Sequence, residues 1–219
     1  MTTLLVLAKA PRAGCAKTRL APTFGPDGAA RLAAAALQDT LDAVAAAPAR
    51  RRVLVLEGDL EAAAPVDVPA TVDVVPQVPG DHARRIAAAL AGCRGPALLI
   101  GMDTPQVTPA LLHLSPGATG PLGADAWLGR AEDGGWWGLG LRRPDLHARA
   151  ALAGVPMSTP RTGAAQHDRL RRLGLTVTLL PVLRDVDTPH DAAAVAAAAP
   201  GTRFARLHRE LAGQGCTDA

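Results

Sequence analysis

The sequence predicts an α/β fold: a mostly parallel central sheet with helices on both faces. Three observations carry this. Apolar runs such as Leu4-Leu5-Val6-Leu7 are continuous rather than alternating, the mark of strands buried on both faces. These runs alternate with alanine-rich stretches of helical length, the pattern of repeated β–α units. Helix starts and stops stand between them, at Thr108-Pro109, Thr188-Pro189, Pro48, Gly92 and Gly174.

The elements follow in order. Residues 3–8 form a first buried strand, and Asp27 caps a long alanine-rich helix to about residue 47, broken by Pro48. A second strand spans 52–56 and a short third 72–75. Asp81 caps a helix to about residue 91, and 97–101 is again apolar throughout. Thr108-Pro109 opens a short helix, with threonine as cap and proline at the first position. The stretch 115–130 is rich in Gly, Pro and Ala and gives no clear periodicity before a strand at 126–128. That strand and another at 136–141 flank the turn Glu132-Asp133-Gly134-Gly135. A helix over 161–173 stops at Gly174, and a strand follows over 175–180. Thr188-Pro189 starts another helix with Asp191 in its first turn. A last helix runs from about 202 to 212. Residues 1–212 read as one domain and 213–219 as a loose tail.

Composition excludes several classes. The net charge is +3, and the arginines are scattered (Arg50-Arg51-Arg52, Arg84-Arg85, Arg142-Arg143, Arg171-Arg172) rather than gathered in a stripe. No aromatic residues interleave with them, so no nucleic-acid surface is expected. Cys15, Cys93 and Cys216 are far apart and form no metal-ligand spacing, which fits a reducing compartment. Lys9 interrupts the first apolar run too early for a signal peptide, and no run approaches the ~20 residues of a membrane span. A cytoplasmic protein is expected.

Four motifs carry chemistry. The first is the loop after the first strand, Lys9-Ala10-Pro11-Arg12-Ala13-Gly14-Cys15-Ala16-Lys17-Thr18-Arg19. The chain has 21 arginines but only two lysines, Lys9 and Lys17, both in this loop. A lysine ammonium is a compact, rotatable charge that arginine's planar fork does not duplicate. Neither GxxxxGK[ST] nor GxGxxG is present. The loop's amides, Lys17 and Arg19 suit nucleotide phosphates, aided by the helix start that follows. The second motif is Ile100-Gly101-Met102-Asp103-Thr104-Pro105. A carboxylate ending a central strand is costly unless compensated, and a divalent cation is one solution; a helix cap is the plainer alternative. The third is Asp185-Val186-Asp187-Thr188-Pro189, in which alternation points both aspartates to one side. One of them is placed to complete a metal site with Asp103, although Asp187 also sits beside an ordinary helix start. The fourth is Asp133-Gly134-Gly135-Trp136-Trp137. Its glycines permit close approach to a ligand, and Asp133 suits acceptor hydroxyls or a base role; a hairpin turn with core tryptophans is the alternative. Met157-Ser158-Thr159-Pro160 reads as a crevice loop or as another cap. The single histidines form no HExxH, and no serine sits in GxSxG, so a hydrolase triad has no support.

Taken in order with Gln38-Asp39-Thr40-Leu41, these motifs resemble the DUF2064 family of glycosyltransferase-A-like proteins, within the nucleotide-diphospho-sugar transferase superfamily. The resemblance runs from Leu4 to about Val195. It implies a GT-A fold, a Rossmann-like α/β/α sandwich. It implies nucleotide binding by Lys9, Ala10, Pro11, Gly14, Lys17, Thr18 and Arg19. It places Mg²⁺ or Mn²⁺ on Asp103, with Asp187 as second ligand ahead of Asp185. It turns Asp133, Gly134, Gly135, Trp136 and Ser158 toward a small-molecule acceptor. Two departures are Trp136-Trp137 in place of a tyrosine-like pair and Met102 in place of a small residue.

The leading expectation is a metal-dependent transferase moving a sugar from an NDP-sugar, with Lys17, Asp103 and Asp133 as catalytic residues. The alternative is nucleotidyl transfer from an NTP with release of pyrophosphate. It is kept open by the likeness of Lys17-Thr18-Arg19-Leu20 to the loop of guanylyltransferases for phospholactate-type substrates. A non-catalytic nucleotide-binding module is the third reading.

Overall fold

The computed structural model describes residues 2–113 and 123–214. Most of the hard-to-read start of the 115–130 segment and of the expected tail lies outside the described residues. The first strand, β1 (Thr3–Lys9), is followed by a one-turn 3-10 helix, Thr18–Leu20, and the long helix α1 (Ala21–Ala46). Then come β2 (Arg51–Glu57), β3 (Asp73–Pro76), α2 (His82–Ala91), β4 (Ala97–Gly101) and α3 (Pro109–His113). The second half holds β5 (Ala126–Ala131), β6 (Trp136–Leu141), α4 (Pro144–Leu152), α5 (Thr162–Arg172), β7 (Val177–Leu183), α6 (Pro189–Ala198) and α7 (Arg203–Gln214).

The seven strands form one sheet in the order β3-β2-β1-β4-β6-β5-β7. Only β6 runs against the rest, pairing antiparallel with both β4 and β5. This is the mostly parallel α/β sheet the sequence predicts. The order reverses direction beside β1 and β4, which pair in parallel from Thr3↔Ala97 to Leu7↔Gly101. A crevice at the carboxyl ends of such strands is where open α/β sheets bind ligands.

Period-two alternation explains the layers. Along β1, Leu4, Val6 and Ala8 enter one core with Leu37, Leu41 and Val44 of α1. Leu5 and Leu7 enter the opposite core with Ile86 and Leu90 of α2, Ala151 of α4 and Leu170 of α5. A third cluster joins α1, α6 and α7 through Leu32, Val195 and Phe204. The Asp39 carboxylate of α1 accepts from the backbone amides of Arg203 and Phe204, both at 2.9 Å, and so anchors the start of α7.

Three boundaries differ from expectation. Helical residues begin at Ala21, but Gly25 (φ 71°, ψ 164°) breaks the run and Pro26 restarts it. Asp27 therefore lies inside a first turn and is not the cap. Helix α4 was not expected, although Pro144 at its start and Asp145 in its first turn are ordinary helix-opening residues. Finally, β7 begins two residues later than expected, because Leu175 turns into the core between α5 and the sheet. Pro181 is tolerated in β7 because that strand is a sheet edge.

Candidate active site

Six segments meet at the carboxyl ends of β1 and β4, around a cavity of about 800 Å³. The loop after β1 supplies Lys9, Lys17, Thr18 and Arg19, and the turn after β4 supplies Asp103. Asp133, Gly135 and Trp136 come from the β5–β6 turn, and Met157 to Pro160 from the loop before α5, with Thr162 at the start of that helix. Asp185 and Asp187 follow β7, and His82 opens α2.

The loop after β1 is shaped by its backbone. Ala10 donates to the Glu57 carbonyl at 2.8 Å, the Pro11 carbonyl accepts from Ala64 at 2.9 Å, and Gly14 takes a left-handed φ of 71°. Ala10 and Pro11 are buried and Gly14 faces solvent, so these three shape the loop but do not line the cavity. Lys17 follows in the left-handed region (φ 48°, ψ 43°), a conformation that costs a non-glycine residue energy. The result is that its side chain turns inward and is only 11 % exposed.

The Lys17 ammonium lies 2.9 Å from Oδ1 of Asp103 and 2.9 Å from Oδ1 of Asp187. Burial alone would lower the Lys17 pKa, but the two carboxylates outweigh it and hold the pKa above its usual value. Burial likewise pushes Asp187 up, and Lys17 with Arg19 at 3.5 Å reverses this, leaving Asp187 below the usual carboxylate range. Asp103 and Asp187 are locked together by backbone as well: the Val186 amide donates to the Asp103 carbonyl at 2.9 Å. Both aspartates therefore do more than sit beside a helix start. That job belongs to Thr188, which caps α6 in a reciprocal pair with Asp191.

Asp185 differs from both. Its Oδ1 is buried without a hydrogen-bond partner. Burial, then the charges of Asp103 and Asp133, push its pKa up to about 7. Its neighbour Arg184 grips Glu132 through Nε and Nη2, and Gln106 Nε2 donates to the Arg184 carbonyl at 2.7 Å. These bonds tie the late acidic segment to the β5–β6 turn and to the stretch after β4.

That turn is itself stitched to the loop before α5. Gly134 (φ 88°) packs so tightly on the Pro160 carbonyl that a Cβ there would collide with it. The Gly163 amide donates to the Gly134 carbonyl at 2.8 Å. Asp133 accepts from the Gly135 amide at 2.7 Å, which fixes the carboxylate at the cavity rim. Trp136 and Trp137 both reach the cavity wall, but Trp137 is buried, packs against Gly129 and donates from Nε1 to the Pro181 carbonyl at 3.0 Å. Ser158 lines the cavity in a left-handed conformation, φ 57°. Met102 is buried, and its sulfur accepts from the Lys9 amide at 3.4 Å, joining β4 to the start of the basic loop.

The structure thus brings Lys9, Lys17, Thr18, Arg19, Asp103, Asp133, Gly135, Trp136, Ser158 and Asp187 to one cavity, and leaves Ala10, Pro11, Gly14 and Gly134 as its supports. Sequence reasoning missed His82 and Thr162 in the wall, whereas Met157 belongs to the expected crevice loop. The capping Asp81 was a signal for the helix that His82 opens; burial, then the nearby Arg85 charge, lower the His82 pKa.

No set of three or more His, Cys, Asp or Glu side chains among the described residues is arranged to hold a metal by itself. The donor set still fits one kind of cation. Asp103 and Asp187 aim one oxygen each at a common point, now held by Lys17 Nζ, and the orphaned Asp185 oxygen lies in the same cluster. Mg²⁺ and its analogues are commonly bound by one or two carboxylates completed by substrate phosphates. No helix among the described residues is long and apolar enough to cross a membrane.

The family model DUF2064, described as "Uncharacterized protein conserved in bacteria", matches residues 40–159. The chain belongs to this family. It is 34% identical over 206 residues to the phosphoenolpyruvate guanylyltransferase of Streptosporangium roseum, covering 90% of this chain and 87% of that protein. Its fold matches a candidate nucleotide-diphospho-sugar transferase from Desulfovibrio desulfuricans G20, with a TM-score of 0.81 and 24% identity over 97% of each chain. It also matches a Mycobacterium tuberculosis H37Rv protein solved in complex with manganese, with a TM-score of 0.53 and 22% identity over 89% of this chain and 97% of that one. The fold is that of the nucleotide-diphospho-sugar transferases, and this DUF2064 member is an enzyme of the transferase class.

Proposed function

We propose that this DUF2064 protein is a metal-dependent nucleotidyltransferase that takes GTP and a small-molecule acceptor and releases pyrophosphate. The observation that carries this reading is the buried Lys17 ammonium set between Asp103 and Asp187, 2.9 Å from each, at the crevice end of the parallel strands. A triphosphate needs a mobile cation and a pair of carboxylates for a divalent ion, and both are concentrated at that point. The sequence points first to glycosyl transfer; the guanylyltransferase relative moves the balance to nucleotidyl transfer and supports guanine as the base.

In the proposed reaction an acceptor oxygen attacks the α-phosphorus. A new P–O bond forms, the bond to the α–β bridging oxygen breaks, and pyrophosphate leaves with the electron pair. Lys17, Arg19 and Lys9 offset phosphate charge along the basic loop, an electrostatic contribution that is often the largest in such reactions. Asp103 and Asp187 would hold Mg²⁺ or Mn²⁺, which supplies Lewis-acid stabilisation of charge on the phosphates. Asp133, fixed by the Gly135 amide, faces the acceptor side and takes the proton of an acceptor hydroxyl. Trp136 lines the adjacent wall, and an aromatic side chain there suits a sugar ring; on that observation glycosyl transfer from an NDP-sugar is the second reading.

Leaving-group analysis separates the two. Incubation with α-labelled GTP, Mn²⁺ and a panel of phosphorylated and hydroxylated acceptors is expected to give labelled product and pyrophosphate. Asp103→Asn is expected to lower turnover by about 10²-fold or more, the scale seen when one stabilising group is removed. Release of GDP from a GDP-sugar, without pyrophosphate from GTP, would reject nucleotidyl transfer in favour of glycosyl transfer.

A further inference from the structure

We infer that Lys17 is a resident counter-ion for the metal carboxylates, passed to the nucleotide phosphates on binding, so that nucleotide and divalent cation load as a coupled pair. The inference rests on the reading above and adds an order to it.

Four observations converge. Lys17 Nζ occupies the point at which Asp103 Oδ1 and Asp187 Oδ1 converge, 2.9 Å from both. A dication seated on those oxygens would face the ammonium at contact range. The two cations therefore exclude each other, and Lys17 must move before a metal settles. Second, the lysine is set for movement. Its left-handed backbone carries strain, it follows closely on an exposed stretch from Arg12 to Cys15, and its side chain makes no cap bond to the 3-10 turn that follows. Third, the destination lies close by. Thr18 and Arg19 line the same cavity, with the Arg19 side chain 74 % exposed, so entering phosphates meet a hydroxyl and a guanidinium next to Lys17. Fourth, the chain uses arginine 21 times and lysine only at 9 and 17. A planar guanidinium would hold a carboxylate in a two-pronged clamp; a point charge on a flexible stem can change partners.

The consequence is reciprocal coupling. Phosphate draws Lys17 away and frees Asp103 and Asp187, so nucleotide raises metal affinity, and by linkage metal raises nucleotide affinity to the same degree. In nucleotide-free protein the ammonium keeps stray divalent ions off the carboxylates.

The test is Mn²⁺ binding to nucleotide-free protein, followed by loss of the free-ion electron paramagnetic resonance signal. Wild type is expected to bind weakly. Lys17→Met is expected to bind about tenfold more tightly, within the usual range of coupling between sites. Adding Asp103→Asn to Lys17→Met is expected to erase the gain, which locates it. Circular dichroism checks the fold, and Lys17→Gln serves as a second variant should methionine perturb it. Equal Mn²⁺ affinity in wild type and both Lys17 variants overturns the counter-ion role. In that case GTP-induced thermal stabilisation of wild type would still leave the transferase reading standing. Absence of binding by both GTP and Mn²⁺, separately and together, overturns the inference and the transferase reading with it.

Discussion

At the scale of single residues, the site is a study in how one environment sets three neighbouring carboxylates apart. Asp103 and Asp187 share the Lys17 ammonium, while Asp185 has a buried Oδ1 without a hydrogen-bond partner and faces the negative charges of Asp103, Asp133 and Asp187. Its pKa, about 7 in the folded protein, lies above the 3.8 of an unperturbed aspartate. The native state therefore binds the extra proton between these values. Stability from this group is fully present below about pH 4 and is lost as pH rises through about 7. Asp185→Asn removes the titration. In protein stripped of metal and nucleotide, the variant is expected to match wild type near pH 4. At pH 8 it should melt higher by roughly 3–6 °C, the equivalent of about 1–2 kcal/mol for a chain of this length. Melting curves across pH check this; a constant difference at every pH would mean that Asp185 is not the titrating group. Such a property is not legible in sequence. Asp103 and Asp187 stand out as acids ending apolar runs, but a shifted pKa depends on distances between segments eighty residues apart in the chain.

At the scale of elements, the β5–β6 turn and the loop before α5 behave as one clamp. The sequence shows Asp133-Gly134-Gly135 as a turn able to approach a ligand closely; the structure shows that Gly134 instead approaches Pro160. Gly134→Ala is expected to destabilise by about 3 kcal/mol or more, combining a left-handed φ with overpacking against backbone. Gly154→Ala is the control: its φ of 73° is also left-handed, but nothing lies within 4 Å of the added Cβ. It should cost only about 1 kcal/mol. Denaturant melts of the two variants decide the matter, and equal losses would deny the clamp. The same contrast explains what was legible. Strands β1, β2 and β4 were visible because burial on both faces leaves an unbroken apolar run. Helix α4 was not, since it buries only Pro144, Ala148, Ala151 and Leu152 and leaves Leu146 exposed, which gives a weak helical period. Its position matters all the same, because α4 and α5 together carry the loop that brings Met157 and Ser158 to the cavity. Sequence periodicity reports burial within an element; it does not report which loops the topology folds back together.

At the scale of the molecule, the cavity is walled by segments drawn from both ends of the chain. Lys17 precedes α1, whereas Asp187 precedes α6, and the third core cluster holds these helices together through Leu20, Val186 and Phe204. A ligand that bridges the basic loop and the late acidic segment therefore ties the first and last parts of the fold to each other. Such a ligand binds the native state alone and stabilises it by mass action. At a hundredfold excess over the dissociation constant the gain is about 2.7 kcal/mol, or roughly 5–10 °C for a domain of this size. GTP with Mn²⁺ is expected to raise Tm by this amount, and either component alone at the same concentration by less than half of it, because each opens the site for the other. EDTA added to the GTP sample should return Tm to the value for GTP alone. Shifts that merely add would mean that phosphate and metal sites are independent, even though both lie within reach of Lys17.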